Sequence, residues 1–318
     1  MSSPLAYLML AGGCIYLLIG GDFLVRGALA LAHRLSISPV IVGLTIVAAG
    51  TSAPELLVSV HAALNGFPGI AIGNVVGSNI ANALLVVGVP ALIHPIVATD
   101  SRIKRQALFM VSISIMFAVM CFIGHIDQID GWLLLGIMAT GIVLTLKGHT
   151  AMPGLDLDDA EQQMQRVIGL PETPWGISAL VLLGAGFLPV GAELAVAGAV
   201  EVASDLGVSE AAIGSTLIAL GTSLPELSTT LIAAFRRHAD IALGNVIGSN
   251  VLNILAIMGI TAVLVDVPVP SIYLQRDLWV MIAGSIAITV FILRNKPITR
   301  GTGLVLCGGY AAYCAAVL

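Results

Sequence analysis

Residues 43–88 recur at residues 214–259 after a shift of 171 positions, with no gap between the copies. The first reads GLTIVAAGTSAPELLVSVHAALNGFPGIAIGNVVGSNIANALLVVG and the second GSTLIALGTSLPELSTTLIAAFRRHADIALGNVIGSNVLNILAIMG, with 22 of 46 positions identical. The shared letters are dense in Gly, Pro, Thr, Ser, Glu and Asn, so common hydrophobicity does not account for the match. The same shift carries Asp22 onto Glu193 and Gly27 onto Gly198, extending the repeated unit into the preceding segment.

What surrounds these polar letters is apolar. Hydrophobic residues make up 58% of the 318 and charged ones only 10%, against a usual charged share of about 25% in soluble proteins. A chain so poor in charge would expose larger apolar patches than solubility allows, which makes it an integral membrane protein. Apolar runs fall at about residues 4–32, 37–65, 69–95, 105–124, 130–147, 174–203, 208–235, 240–265, 276–293 and 301–317. Several exceed the roughly 18 residues that signal a spanning helix, and the two-residue alternation of a membrane barrel is absent. The expected fold is an all-α membrane protein with ten transmembrane helices and no room for a sizeable extramembrane domain. The first run lacks a basic leader and is too long for a secretory signal, although Ala28-Leu29-Ala30 imitates a cleavage site, so it reads as a retained helix. Cys14, Cys121, Cys307 and Cys314 lie in apolar runs without metal-ligand spacing and read as buried free thiols. A net charge of -5 argues against nucleic acid as a partner.

Orientation follows from the basic residues. With the N-terminus outside, the inner connections hold Arg34, Arg102, Lys104, Arg105, Lys147, Arg166, Arg236, Arg237, Arg294, Lys296 and Arg300, while the outer ones hold only Arg276. Both termini are therefore predicted to be extracytoplasmic. The domains are read as a first five-helix repeat over 1–149, a cytoplasmic linker over 150–173 with Asp156, Asp158, Asp159 and Glu161, and a second repeat over 174–318. Five is odd, so the second copy enters the membrane from the opposite side. Inverted repeats place a substrate site near the midplane, where the copies meet.

Glu55 and Glu226 occupy matching positions deep in the second and seventh runs. A carboxylate at mid-membrane costs roughly 3 kcal/mol on insertion scales, and no basic residue precedes the inner end of either run to repay it. Each Glu belongs to GTS-x-PE. Thr51 and Ser52 lie four and three residues before Glu55, on its helical face, and Thr222 and Ser223 do the same for Glu226. Pro54 and Pro225 remove a backbone donor, so carbonyls around Ala48 and Ala219 are expected to be freed to face a cavity. In the following GN-x-x-GSN-x-x-N, Ser78 and Asn82 are four apart, as are Ser249 and Asn253. Gly73, Gly77, Gly244 and Gly248 read as packing ridges. For Asn74 and Asn245, interhelical bonding and a site role weigh evenly, and neither is counted as a ligand. Every donor in this set is a hard oxygen, with no His or Cys, which favours calcium and sodium over zinc, copper, iron or magnesium.

GTSAPE with GNVVGSNIAN, and GTSLPE with GNVIGSNVLN, closely resemble the alpha repeats of the cation/calcium exchanger superfamily, in its prokaryotic sodium/calcium antiporter branch. The resemblance covers essentially the whole chain. It implies ten helices in two inverted five-helix repeats and a multi-pass protein of the cell (inner) membrane. It also implies a secondary active antiporter exchanging Ca2+ for Na+ by alternating access, commonly with three sodium ions per calcium, the first and sixth helices sliding across a fixed core. The ion ligands implied are the carbonyls of Ala48 and Ala219 and the side chains of Thr51, Ser52, Glu55, Ser78, Asn82, Thr222, Ser223, Glu226, Ser249 and Asn253. Calcium and sodium are then substrates; no cofactor, no enzymatic activity and no obligatory protein partner beyond the lipid bilayer is expected.

Two departures matter. Potassium-dependent relatives favour an acid where this chain has Asn253, which speaks against potassium coupling. Proton/calcium members tend to carry Glu-His where this chain has Gly77-Ser78 and Gly248-Ser249, which weighs against the alternative of H+/Ca2+ exchange on the same fold. With two carboxylates against three sodium ions, one net charge would cross per cycle. Three smaller expectations remain: an Asp22–Arg26 pair four residues apart, a vestibule role for Glu193, and satisfied packing for His61. An intramembrane hydrolase using Glu55 and Glu226 as acid and base lacks any nucleophile motif.

Overall fold

The computed structural model describes residues 4–98, 100–147, 173–206 and 219–317. The helices are α1 (Pro4–Arg34), α2 (Pro39–Thr51), α3 (Ala53–Leu64), α4 (Pro68–Ile93), α5 (Ser101–Cys121), α6 (Gln128–Lys147), α7 (Pro174–Asp205), α8 (Ala219–Thr222), α9 (Leu224–Phe235), α10 (Ala239–Leu264), α11 (Tyr273–Leu293) and α12 (Arg300–Val317). By length and composition α1, α4, α5, α7, α10 and α11 can each cross a membrane, and α2 with α3, bent by 45°, can make a seventh span. Each apolar run read from the sequence falls, where its residues are described, on one of these helices or joined pairs; of the run 208–235 the described part is 219–235. The expected linker, with its four acidic residues, and the first residues of the second repeated copy lie outside the described residues.

The breaks follow from proline. Pro54 stands at the second position of α3, and Ser52 before it leaves helical geometry at φ -85°, ψ 6°. Ser223 does the same before Pro225, at φ -89°, ψ 1°. A second irregularity has no signature in the letters: wide π-helical turns over Gly43–Val47, Asn82–Val86 and Asn253–Met258, the last two opening at the repeated Asn82 and Asn253. Such turns insert a residue into the helical ladder and are frequent at functional sites.

The longest helices, α1 and α7, are repeat mates with 31 and 32 residues. At 1.5 Å per residue each spans about 47 Å, more than the roughly 30 Å hydrocarbon layer, so they cross tilted or protrude. They pack on each other through glycines spaced seven apart, Gly13, Gly20 and Gly27 against Gly184, Gly191 and Gly198. A Cβ on Gly13 would lie 2.3 Å from the Ala195 nitrogen, on Gly184 2.6 Å from that of Leu24, and on Gly198 2.5 Å from that of Leu10. Numbers rise along α1 as they fall along α7, so the two mates run antiparallel. The centre is formed by α4 and α10, 72% of whose apolar windows are buried, against 33% for α1 and 28% for α7. Around it, His125–Ile126 pairs antiparallel with Val267–Pro268, and Ile96 bridges Ile298, each tying connections assigned to one face.

The two halves are not packed alike. Helix α1 lies on α9: the Ser228 hydroxyl donates to the Leu17 carbonyl at 2.6 Å, and Arg236 Nε donates to Asp22 Oδ1 at 2.9 Å, with Nη2 on the same oxygen. The mirror packing of α7 on α3 is at most slight among the described residues. Leu57, mate of Ser228, is 70% exposed while Ser228 is 6% exposed, and Glu193, mate of Asp22, faces outward. Asp22 does reach Arg26, at 3.6 Å, but its nearer partner is Arg236 from the other half. Two expectations are corrected. His61 is exposed rather than packed, because it sits on the last turn of α3, which α7 leaves uncovered, and Cys14 is exposed on the outer side of α1.

Candidate cation site

Glu55 and Glu226 each lie in the first turn of a helix restarted after the break, and both are fully buried. The positive end of the helix dipole offsets part of the cost of a carboxylate there. Among the described residues the ion pairs are Arg26 and Arg236 with Asp22, Arg102 with Asp100 and Arg276 with Asp277; none reaches either glutamate. The two carboxylates are instead close enough to act on each other electrostatically.

Hydroxyls from both halves surround them. Ser52 donates to Glu226 Oε1 at 2.8 Å and Ser249 to the same oxygen at 3.3 Å. Thr51 and Ser249 hydroxyls are 3.4 Å apart, and their mates Thr222 and Ser78 are 3.5 Å apart, so each half contributes to both sides of the pair. Thr51, Ser52, Ser78, Asn82, Ser223, Ser249 and Asn253 are all buried, and Thr222 is half-buried. Ala48 is buried beside Thr51; α8 begins at Ala219, whose side chain is not described.

The carbonyl chemistry differs from the expectation. The Ala48 carbonyl accepts the Ser52 N–H at 2.9 Å and the Thr51 hydroxyl at 3.2 Å. A proline deprives the carbonyl four residues earlier, so Pro54 leaves Gly50 without its helical donor and Pro225 leaves Gly221. With both lone pairs of its carbonyl engaged, Ala48 can ligate an ion only by releasing Thr51.

Asn74 and Asn245, undecided from the sequence, brace the site. Asn74 Nδ2 donates to the Glu55 carbonyl at 3.1 Å and to Ser59 at 2.9 Å, while Asn245 Nδ2 donates to the Glu226 carbonyl at 3.4 Å and to Thr230 at 3.1 Å. Each accepts the threonine of the opposite half, Thr222 on Asn74 at 3.3 Å and Thr51 on Asn245 at 3.2 Å. The packing ridge is real at Gly244 and Gly248, where a Cβ would lie 3.0 and 2.6 Å from the carbonyl oxygens of Val40 and Leu44, whereas at Gly73 it would meet only the phenol of Tyr273 and at Gly77 no described neighbour within 4 Å. Ser59, Thr230, Asn79 and Asn250 were not singled out in the sequence, though each stands at a matched polar position of the repeat.

One feature of the satisfied network is what it leaves out. Six buried oxygens here have no hydrogen-bond partner among the described residues: both of Glu55, Glu226 Oε2, Asn82 Oδ1, Asn253 Oδ1 and Ser223 Oγ. Buried polar atoms are nearly always paired. Six such oxygens, three of them on the two carboxylates, match the six to eight that calcium takes in flexible geometry.

A family model described as sodium/calcium exchanger protein matches residues 5–147 and 177–318. The chain belongs to the sodium/calcium exchanger family. It is 33% identical to the sodium/calcium exchanger MaX1 of Methanosarcina acetivorans, over 96% of this chain and 97% of that one. To the inner membrane protein YrbG of Escherichia coli it is 32% identical, over 98% and 96% of the two chains. Among solved structures, the sodium-calcium exchanger NCX_Mj soaked with 10 mM Na+ and 10 mM Sr2+ superposes with a TM-score of 0.82 at 32% identity, covering 98% of each chain. This exchanger-family chain is thus a multi-pass membrane transporter and not an enzyme.

Proposed function

We propose that this protein exchanges Ca2+ for Na+ by alternating access, in the cell (inner) membrane. The observation that carries the reading is the set of six unpartnered buried oxygens, drawn from both halves and including two carboxylates with no basic partner. A dehydrated hard cation supplies the compensation that the protein withholds. The ligands are the side chains of Thr51, Ser52, Glu55, Ser78, Asn82, Thr222, Ser223, Glu226, Ser249 and Asn253, with backbone carbonyls at Ala48 and Ala219. The names of MaX1 and NCX_Mj and the lack of a third acid or a histidine in the ligand set favour sodium over protons or potassium as the coupling ion.

The chain crosses ten times, in two inverted five-helix repeats over 1–149 and 174–318 joined by a cytoplasmic linker, with both termini outside. Antiparallel α1 and α7, and the connections tied in pairs at each face, support this arrangement. The Arg236 end of α9 is then cytoplasmic. Because α1 covers α9 there while α7 leaves α3 bare, the conformer faces outward. The long, sparsely buried α1–α7 pair is the element free to slide across the α4–α10 centre. Three sodium ions against one calcium move one charge, worth about 2.3 kcal/mol per 100 mV, so exchange is electrogenic.

The test loads reconstituted vesicles with sodium, dilutes them into sodium-free medium and follows labelled calcium. Uptake is expected only with the outward sodium gradient, with an accompanying current. Uptake driven by a pH gradient alone would make the protein a proton/calcium antiporter instead, and uptake without current would remove the three-to-one exchange.

A further inference from the structure

The shift of 171 residues that relates the halves makes Asn79 the mate of Asn250, Asn82 of Asn253 and Met110 of Met281. Two contacts obey this symmetry: Asn79 Nδ2 points to Met281 Sδ at 3.7 Å and Asn250 Nδ2 to Met110 Sδ at 3.5 Å, each crossing to the other half. A third does not. Asn253 Nδ2 donates to Asn79 Oδ1 at 3.0 Å, but in the mirror pair Asn82 Nδ2 and Asn250 Oδ1 are both buried without a partner. All four asparagines are fully buried, so the missing bond leaves two polar atoms unpaired in an apolar interior. That costs more than an ordinary hydrogen bond gains.

We propose that Asn79 and Asn250 are positioning residues that grip the ligand amides of the opposite half one at a time. Holding Asn253 by its Nδ2 turns its Oδ1 toward the cation site and fixes it there; Asn82, not held, has its whole amide unpartnered. Inverted repeats give a carrier two nearly equivalent arrangements of its halves, and in the opposite-facing one each half takes the place its mate holds here. The exchange breaks Asn253–Asn79 and closes Asn82–Asn250, so the two orphaned atoms of one state are the bonded atoms of the other. Serine contacts to the glutamates share this asymmetry. Ser52 donates to Glu226 at 2.8 Å, while its mate Ser223 has no partner and Glu55 accepts from none. The π-helical turns opening at Asn82 and Asn253 give each amide a loosened ladder in which to turn.

This inference rests on the transport reading above, and its test separates the two. Half-saturating calcium is measured at the outer face in right-side-out vesicles and at the inner face in inside-out vesicles. Outer-shell partners of metal ligands are worth 10–100-fold in affinity. Asn79→Ala is expected to raise the outer value about tenfold and to leave the inner value unchanged or lower, since a weakened outward state populates the inward one. Asn250→Ala is expected to do the reverse. Asn79→Asp, isosteric and still an acceptor for Asn253 Nδ2, is expected not to raise the outer value, which keeps the test open if the alanine variant folds poorly. Equal rises at both faces for either alanine variant, or an Asn79→Asp as weak as a folded Asn79→Ala, would overturn the alternating grip. Absence of sodium-dependent calcium flux in the unmutated protein would overturn the transport reading instead.

Discussion

Glu55→Gln tests the electrostatics of the site in a way that Glu226→Gln does not, because the two carboxylates are satisfied so differently. Glu55 is fully buried and neither oxygen accepts a hydrogen bond. Without calcium, neutralising it relieves a penalty of roughly 3 kcal/mol, less about 1–3 kcal/mol for burying an amide with few partners. The net gain is about 1 kcal/mol, or a melting temperature higher by about 1–3 °C in chelator. With calcium the sign reverses. At a hundred times its dissociation constant calcium stabilises the unmutated protein by about 2.7 kcal/mol, whereas a hundredfold weaker site gains only about 0.4 kcal/mol at the same concentration. The melting curves of the two proteins should therefore cross: the variant above in chelator, below in calcium. Glu226→Gln should show no gain in chelator, since Ser52 and Ser249 lose bonds to a charged acceptor, each worth about 1.5–3 kcal/mol against 0.5–1.5 kcal/mol for a neutral one. Thermal unfolding of the purified proteins in detergent, with chelator and with calcium, is the measurement. Should Glu55→Gln melt below the unmutated protein in chelator, or the two glutamine variants behave alike, the claim that Glu55 waits uncompensated for a cation is refuted.

Two further outcomes are expected. Gly13→Val places a Cβ where the Ala195 nitrogen already stands at 2.3 Å, so α1 and α7 must separate; calcium exchange should fall at least tenfold with the protein still inserted, and normal exchange rates would remove the seam from the moving element. Arg236→Gln leaves Asp22 with Arg26 alone and unlatches α1 from α9; a half-exposed charge pair is worth about 1 kcal/mol, so labelling from the cytoplasmic side of a cysteine introduced at Ser228 should quicken roughly fivefold, and an unchanged labelling rate would deny the latch.

Much of this was legible in the letters because the membrane permits few solutions. Long apolar runs had to be helices, and the prolines in GTS-x-PE had to break them, as Ser52 and Ser223 do. Asn74 and Asn245 could not be assigned, since an amide in a helix gives no hint whether its partner is an ion or another helix; the threonine of the opposite half decides it. Asp22 and Arg26 were paired by spacing alone, whereas Arg236, 214 residues away, is the nearer partner. The π-helical turns were illegible because they reflect a shift of backbone bonds, which no residue type demands.

The chain's order of residues determined by itself that it is a helical membrane protein built twice over, with one lone acid among hydroxyls and amides in the middle of each copy. At the cation site it could not distinguish the copies, for there matching letters have matching chemistry. Only the packed molecule breaks that equivalence: α1 closes on α9 and α7 stands off α3, Glu226 is hydrogen-bonded and Glu55 is not, Asn253 is held and Asn82 is free. Those differences depend on how one half sits against the other, and two nearly equal halves can sit against each other in two ways.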